Sequence, residues 1–321
     1  MKYSIVMPVY KVEEYIEKSI TSVLNQTYTN FELIILNDGS PDNSEKIIKK
    51  YTKDKRIKYI KKDNTGVSDT RNKGVELASG DYLFFLDSDD YIDSDFLEKV
   101  NKNIKNLDLL KIGFKRVDIN EKVIDISPTP IFSNQKGIDA FYTLVDNGVM
   151  IDQPSLFIYN LKYYKKNNFH FRVGTFHEDF GLLPEILIKA NKVSSTDITF
   201  NYLVRPNSTM TNKNMSFVIK KAYDVLTHYD YLKEIINSIK TDKKNKDAFI
   251  YYIENTTIAK LYTLKSDLNE YKKYKRELKK RGIYKYTCKS NYKYIIKKTI
   301  LKLSTSFYLK RILKVDKWFY S

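Results

Sequence analysis

Over its first hundred residues the chain repeats one pattern, a short apolar β-branched run followed by a longer segment with apolar residues at helical spacing. Residues 3–9 read as a strand, and 12–26 as an amphipathic helix carrying Val12, Ile16, Ile20, Val23 and Leu24. Residues 31–36 then read as a buried strand, 42–53 as a helix with Asp42 near its cap, 57–60 as a strand and 67–78 as a helix closed by Gly80. A further buried strand, 82–86 (YLFFL), runs straight into Asp87-Ser88-Asp89-Asp90. Such alternation commits a chain to a mostly parallel sheet with helices on both faces, and in such sheets ligands collect beyond the carboxyl ends of the strands. Two polar clusters, Asn37-Asp38-Gly39-Ser40 and Asp87 to Asp90, fall at those ends.

The second hundred residues are patterned more loosely. Strands are expected near 109–117, 155–159 and 199–204, with helices near 137–145 and 180–189. Beyond Asn214 the pattern is wholly helical, over 217–239, 247–264, 268–281 and 289–319. The 321 residues therefore divide into an α/β part, 1–212, and an all-helical part, 213–321. The lone Cys288 excludes an intramolecular disulfide and has no metal-ligand spacing with the 3 histidines, which fits a reducing compartment. Met1 to Tyr10 is apolar, but Lys11, Glu13 and Glu14 interrupt it, so neither a cleavable signal nor a membrane span is expected and the protein reads as cytoplasmic.

Charge separates the two parts. The 56 Lys and Arg against 39 Asp and Glu give +17, yet residues 1–210 hold 29 of each sign, so the whole surplus, 27 basic against 10 acidic residues, lies in the last third. A neutral first part suits chemistry, and a basic second part suits attraction to an anionic surface.

Three local patterns carry candidate chemistry. Asp87-Ser88-Asp89 at the end of a buried strand sets alternate carboxylates toward one side of an extended backbone, where a hard divalent cation could sit; an acidic turn capping the next helix is the plainer alternative. Asn37-Asp38-Gly39-Ser40 joins a strand to a helix, so that Asp38 can accept from a ligand while Gly39 lets backbone approach; a simple turn gives the same residues. The stretch Thr65 to Gly74 opens a helix whose free N–H groups and Arg71 could meet a phosphate, or whose Arg71 pairs with Asp69 or Glu76 on a plain surface helix.

Taken together the chain resembles the family 2 glycosyltransferases, whose nucleotide-sugar domain has the glycosyltransferase-A fold. The resemblance is carried by Met7-Pro8-Val9-Tyr10, Ser22-Val23-Leu24-Asn25-Gln26-Thr27, Asn37-Asp38-Gly39-Ser40, Asn64-x-Gly66 with Arg71-Asn72-x-Gly74, and Phe85-Leu86-Asp87-Ser88-Asp89-Asp90, in that order. It implies a nucleotide-binding half, 1–107, and an acceptor-binding half, 108–212. Pro8, Tyr10, Asp38 and Gly39 would then line the base and ribose pocket with Asn64 and Arg71 beside it. Asp87 and Ser88 would meet ribose or metal-bound water, and Asp89, with Asp87, would hold Mn²⁺ or Mg²⁺ against the diphosphate. In His177-Glu178-Asp179, Asp179 matches the family's base for an inverting displacement and Glu178 is the fallback; a Glu-Asp pair also commonly caps a helix. Arg205 and Ser208 match the segment that closes over the diphosphate.

The implied activity is transfer of a sugar, with a UDP-sugar as the expected donor, onto a glycan or lipid-linked glycan hydroxyl in surface-polysaccharide, capsule or exopolysaccharide synthesis. Two other classes compete with it. A nucleotidyltransferase should carry a Gly-rich phosphate loop where Met7-Pro8-Val9-Tyr10-Lys11 stands, and a non-catalytic binder should have lost Asp87, Asp89 or Asp179. In 289–321, Ile, Leu, Phe and Trp residues interleave with Lys and Arg, a pattern that suits either packing on neighbouring helices or attachment to an anionic membrane, where each basic residue near the surface is worth roughly 1 kcal/mol. Peripheral attachment to the inner face of the membrane is therefore expected, nucleic acid is not, and homo-oligomerisation is left open.

Overall fold

The computed structural model describes residues 1–127, 129–205 and 214–283. The chain divides into two compact units, Met1–Gly174 with Leu182–Ser208, and Thr175–Gly181 with Thr209–Ser321.

The first unit is built on one sheet. Its opening strands are β1 (Tyr3–Val9), β2 (Phe31–Asp38), β3 (Ile57–Lys62) and β4 (Tyr82–Phe85), separated by α1 (Ile16–Leu24), α2 (Ser44–Lys49) and α3 (Val67–Leu77). These strands pair in parallel in the order β3-β2-β1-β4, with Val6 of β1 between Ile34 of β2 and Phe85 of β4. Every residue of β2 and β4 is buried, as expected of a parallel sheet covered on both faces. Helix α3 approaches β1 closely at Gly74, where an added Cβ would run into the Val6 side chain.

Beyond β4 the pairing becomes mixed. After α4 (Phe96–Asn103) come β5 (Leu109–Val117), β6 (Val123–Ile126), β7 (Phe132–Gln135), α5 (Gly137–Asp146), β8 (Phe157–Asn160), α6 (Leu161–Lys166), α7 (Glu178–Lys189) and β9 (Val193–Leu203). The full order is β3-β2-β1-β4-β8-β5-β9-β7, with β6 hung on the outer half of β5. Strand β8 runs antiparallel to both β4 and β5, whereas β5 and β9 are parallel. The short strands β6 and β7 and helix α6 lie outside the sequence expectation, and β9 begins six residues earlier than expected.

The second unit is helical, with α8 (Met215–Ser238), α9 (Lys243–Thr263) and α10 (Leu268–Lys280). Each helix is started by a side-chain cap. Asn214 accepts from Ser216 N, Asp242 from Asn245 N at 2.7 Å, and Asp267 from Asn269 N and Glu270 N. The Asp242 cap explains why α9 begins at Lys243 rather than near Asp247, where the apolar pattern begins. Leu226, Tyr229 and Leu232 of α8, Phe249, Ile253 and Leu261 of α9, and Tyr274 and Leu278 of α10 form the core of this unit. The expected helix 289–319 lies outside the described residues, and no described helix is long and apolar enough to cross a membrane.

Candidate functional site

The loops that follow β1, β2 and β3 are stitched to one another. Lys11 N donates to Ser40 Oγ at 2.8 Å, Ser40 N to Asn37 Oδ1 at 2.8 Å, and Ser40 Oγ to Asp42 Oδ1 at 2.5 Å. Gly39 has φ of +65° and lies so close to Asn64 N that a Cβ would sit 2.9 Å from it, so this turn requires glycine. Asp38 is 3% exposed and is held from both sides. Its Oδ1 accepts from Lys62 Nζ at 2.5 Å and Thr65 N at 3.0 Å, and its Oδ2 from Gly66 N at 2.9 Å. Asp38 thus ties β2 to the start of α3, which leaves one lone pair on Oδ2 as its free capacity toward a ligand. Pro8 is half-buried and Tyr10 is exposed at the end of the adjacent β1.

Lys62 is the residue that sequence reasoning missed here. It reaches Asp38, Thr65, Asp69 and Thr70 at once, and although burial opposes its charge, Asp38 and Asp69 outweigh burial and raise its pKa. A lysine at the end of a strand gives no signal of this in a sequence with 56 basic residues.

Successive residues of α3 reach two clusters, because Thr70 meets Lys62 while Arg71 donates to Asp87 Oδ1 at 2.9 Å. Neither Asp69 nor Glu76 takes the Arg71 partnership that the plain-helix alternative required. Arg71 is also stacked against Phe171 at 5.4 Å, and Asn72 pairs with the Phe171 backbone in both directions at 2.8 Å. Asn72 is therefore an anchor for the chain at Phe171, a role that its place in the motif did not disclose.

The Asp87-Ser88-Asp89-Asp90 segment is not extended. The strand ends at Phe85, and Asp90 N donates to Asp87 O at 3.0 Å, closing a turn over Ser88 and Asp89. This corrects the expected extended Asp-x-Asp geometry, because a turn rather than strand alternation directs the carboxylates. The end of β9 is fastened to that turn: Tyr91 and Asn201 bond backbone to backbone, Asp90 Oδ1 accepts from Leu203 N at 2.9 Å, and Asn201 donates to Asp93 at 2.8 Å. As a result Arg205 Nε donates to Asp89 Oδ2 at 2.6 Å, and its guanidinium lies 5.3 Å from the centre of the Tyr15 ring. Ser208 lies outside the described residues.

This cluster is strongly acidic. Burial first, then Asp87, raises the Asp89 pKa against the pull of Arg205. Burial, then Asp89 and Asp87, drives Asp90 well above the usual carboxylate range, and the same field helps burial push Tyr202 up to about 12. Asp90 Oδ2 is buried without a hydrogen-bond partner among the described residues. Added positive charge would relieve such a cluster. No group of three His, Cys, Asp or Glu side chains gathers as a self-sufficient metal site among the described residues. The residues nevertheless fit a hard cation of the Mg²⁺ or Mn²⁺ kind, which asks for one or two carboxylates and fills its other positions with water and diphosphate oxygens. Asp87 and Asp89 each pair one oxygen with an arginine and keep the other as a hard donor.

Glu178 and Asp179 open α7 and group with the helical unit. Asp179 Oδ1 accepts from Phe180 N at 2.7 Å. The preceding His177 has φ of +57° and accepts at Nε2 from Lys260 Nζ at 2.9 Å, which makes it a partner of lysine.

Comparison with known proteins bears on family and fold. The family profile described as Glycosyl transferase family 2 matches residues 4–177. A Haemophilus influenzae protein described as an uncharacterized glycosyltransferase is 32% identical over 247 residues, covering 70% of this chain and 97% of that protein. The poly(ribitol-phosphate) beta-N-acetylglucosaminyltransferase TarP of Staphylococcus aureus is 31% identical over 220 residues, 67% of this chain and 66% of that protein. Glycosyltransferase GlyA of Streptococcus pneumoniae is 44% identical over 104 residues, of which this chain spans 15% of the relative's length. Among solved structures, S. aureus TarS 1-349 in complex with UDP-GlcNAc superposes with TM-score 0.56 at 21% identity over 88% of this chain and 92% of that one. The mannosyltransferase PcManGT from Pyrobaculum calidifontis, in complex with GDP-Man and Mn²⁺, gives TM-score 0.57 at 11% identity over 99% of this chain and 83% of that one. At these identities the structural likeness establishes the glycosyltransferase-A fold, while the sequence matches establish the family: the chain belongs to glycosyl transferase family 2.

Proposed function

We propose that this chain is an inverting, metal-dependent hexosyltransferase that moves a sugar from a nucleotide-diphosphate donor, with a UDP-sugar as the first candidate, to a hydroxyl of a cell-surface polymer or its lipid-linked precursor. The observation that carries the reading is the cluster in which Arg71 faces Asp87 and Arg205 faces Asp89 beyond the carboxyl ends of the parallel strands. Similarity to TarP favours a polyol-phosphate polymer among the acceptors, and similarity to the minor teichoic acid biosynthesis protein GgaB of Bacillus subtilis favours the teichoic acid class.

Pro8 and Tyr10 flank the nucleoside and Asp38 accepts from base or ribose through its remaining lone pair, with Gly39 and Asn64 shaping the turn beside it. Asp87 and Asp89, with Ser88 between them, would hold Mn²⁺ or Mg²⁺, which would supply Lewis-acid neutralisation of the leaving diphosphate. Arg71 fixes the Asp87 carboxylate by its hydrogen bond to Oδ1, and Arg205 turns from Asp89 to the diphosphate, with Ser208 following it in sequence. Asp179, or Glu178 in its place, takes the proton of the acceptor hydroxyl as it attacks the anomeric carbon from the face opposite the leaving group. Residues 1–212 form the catalytic domain in this scheme, and the basic helices of 213–321 attach it to the inner face of the membrane.

A thermal-shift and calorimetric series with UDP, GDP and CMP, with and without Mn²⁺, tests the donor half. One nucleotide should stabilise the protein in a Mn²⁺-dependent way, and Asp89→Ala should remove the metal-dependent part. Stabilisation that is indifferent to both Mn²⁺ and Asp89→Ala would overturn the assignment of that carboxylate.

A further inference from the structure

Residues 175–181, which carry the Glu178–Asp179 pair, are clamped from two helices within the helical unit. From α8, Asp224 Oδ2 accepts from Phe176 N at 2.9 Å and His228 Nε2 meets Phe176 O at 3.0 Å, while the Phe176 ring packs edge-on against Phe217 at 4.4 Å. From α9, Lys260 Nζ reaches His177 Nε2 at 2.9 Å. His177 O accepts from Gly181 N at 3.1 Å, so the first turn of α7 hangs from this residue. A non-glycine residue at φ of +57° is strained, and persists where its surroundings over-determine it.

We propose that Lys260 is a positioning residue for the Glu178–Asp179 turn: by donating to His177 Nε2 it fixes the imidazole as the neutral Nδ1–H tautomer and holds the strained backbone from which α7 starts. Its catalytic meaning rests on the assignment of Asp179 as the base. An ammonium has donors and no acceptor, so Nε2 must be the accepting nitrogen and the ring proton must lie on Nδ1. The Phe176 carbonyl in turn only accepts, so His228 carries its proton on Nε2. Two neighbouring histidines are thus held in opposite tautomers. Lys260 is 4% exposed, so its contact with His177 lies inside the helical unit.

The groups facing His177 keep it neutral. Burial acts first, then Lys260 of α9 and Lys221 and His228 of α8, and together they hold its pKa well below the ordinary histidine value. Glu178 and Asp179 lie beside it on α7, where Glu178 supports the charge of Lys221 against burial. Removing Lys260 takes away the first of the charges that oppose protonation after burial.

The test is long-range ¹H–¹⁵N spectroscopy of the full chain with labelled histidine, in which three ring systems are resolved by single His→Gln variants. The wild type should show His177 as Nδ1–H and non-titrating between about pH 5 and 8, and His228 as Nε2–H. In Lys260→Met, His177 should titrate inside that window and amide exchange at Gly181 should rise about tenfold or more, with Lys260→Arg restoring part of the protection. An Nε2–H proton on His177 in the wild type overturns the proposal without any variant. So does a Lys260→Met protein in which tautomer, titration and exchange are unchanged. If Asp179→Asn retains transfer while these signatures hold, the base assignment fails and the clamp stands.

Discussion

Glu32 at the start of β2 shows how one buried acid can set the acid limit of the catalytic sheet. It is 3% exposed and accepts from Ser4 Oγ at 2.6 Å, Ser79 N at 2.7 Å and Lys58 Nζ at 2.7 Å. Burial alone would raise its pKa, but the bonds from Lys58, Ser4 and Ser79 outweigh it and bring the value down to about 2. A depressed carboxyl contributes stability that is fully present above its unfolded value, near 4.3, and is lost as pH falls from there toward 2. The shift corresponds to about 3 kcal/mol, reduced to about 2 because Lys2 and Lys58 are partly in solvent. Glu32→Gln should therefore cost about 2 kcal/mol in urea denaturation at pH 7 and flatten the fall in stability below pH 4.5; an unchanged acid limb would show that other carboxylates control it. Lys62→Met makes the matching prediction for the nucleotide loops. It leaves the buried Asp38 with backbone donors only, so nucleotide affinity should fall about tenfold in calorimetry while the fold persists.

Strands β1, β2 and β4 were legible in the sequence because strands buried on both faces are written as unbroken apolar runs. Strands β6 and β7 were not, since each has four residues, leaves at least half of them exposed and lacks a clean alternation. Candidate residues at strand ends were legible for the same reason as the strands themselves. Their partners were not: Arg71 with Asp87, Arg205 with Asp89 and Lys260 with His177 join positions 16, 116 and 83 residues apart, and no local pattern encodes such pairs. Gly74 is a case in which the motif was visible but its cause was not. Its place against Val6 sets how closely α3, the helix bearing Arg71, can lie on β1. Gly74→Ala should destabilise the protein by about 1–3 kcal/mol through overpacking. Val6→Ala removes the atoms in the way, so the double variant should cost less than the sum of the two single changes in denaturation measurements. Strict additivity would mean that α3 shifts freely and that Gly74 has no packing role.

Over the whole molecule the charge is divided, with all of the +17 in the last third, and α10 shows how part of it is displayed. Tyr274 and Leu278 are turned into the helical unit, while Lys272, Lys275, Arg276 and Lys279 are exposed at spacings of three, one and three residues, which places them on one face of the helix. None of these four joins an ion pair among the described residues, whereas the neighbouring Lys273 and Lys280 are answered by Glu270 and Glu277. A face with cations outward and its apolar residues already buried suits electrostatic attachment to an anionic bilayer without insertion, and it adds to the ten basic residues against one acid in the sequence 284–321. Vesicles containing about 30% phosphatidylserine should carry the protein upward in flotation at low salt and release it as ionic strength rises, because the attraction decays over a Debye length. Replacing all four cations of α10 by Glu should weaken binding about tenfold or more while leaving nucleotide binding intact. If the quadruple variant floats as well as the wild type, α10 is a solvated face and any attachment belongs to other parts of the chain.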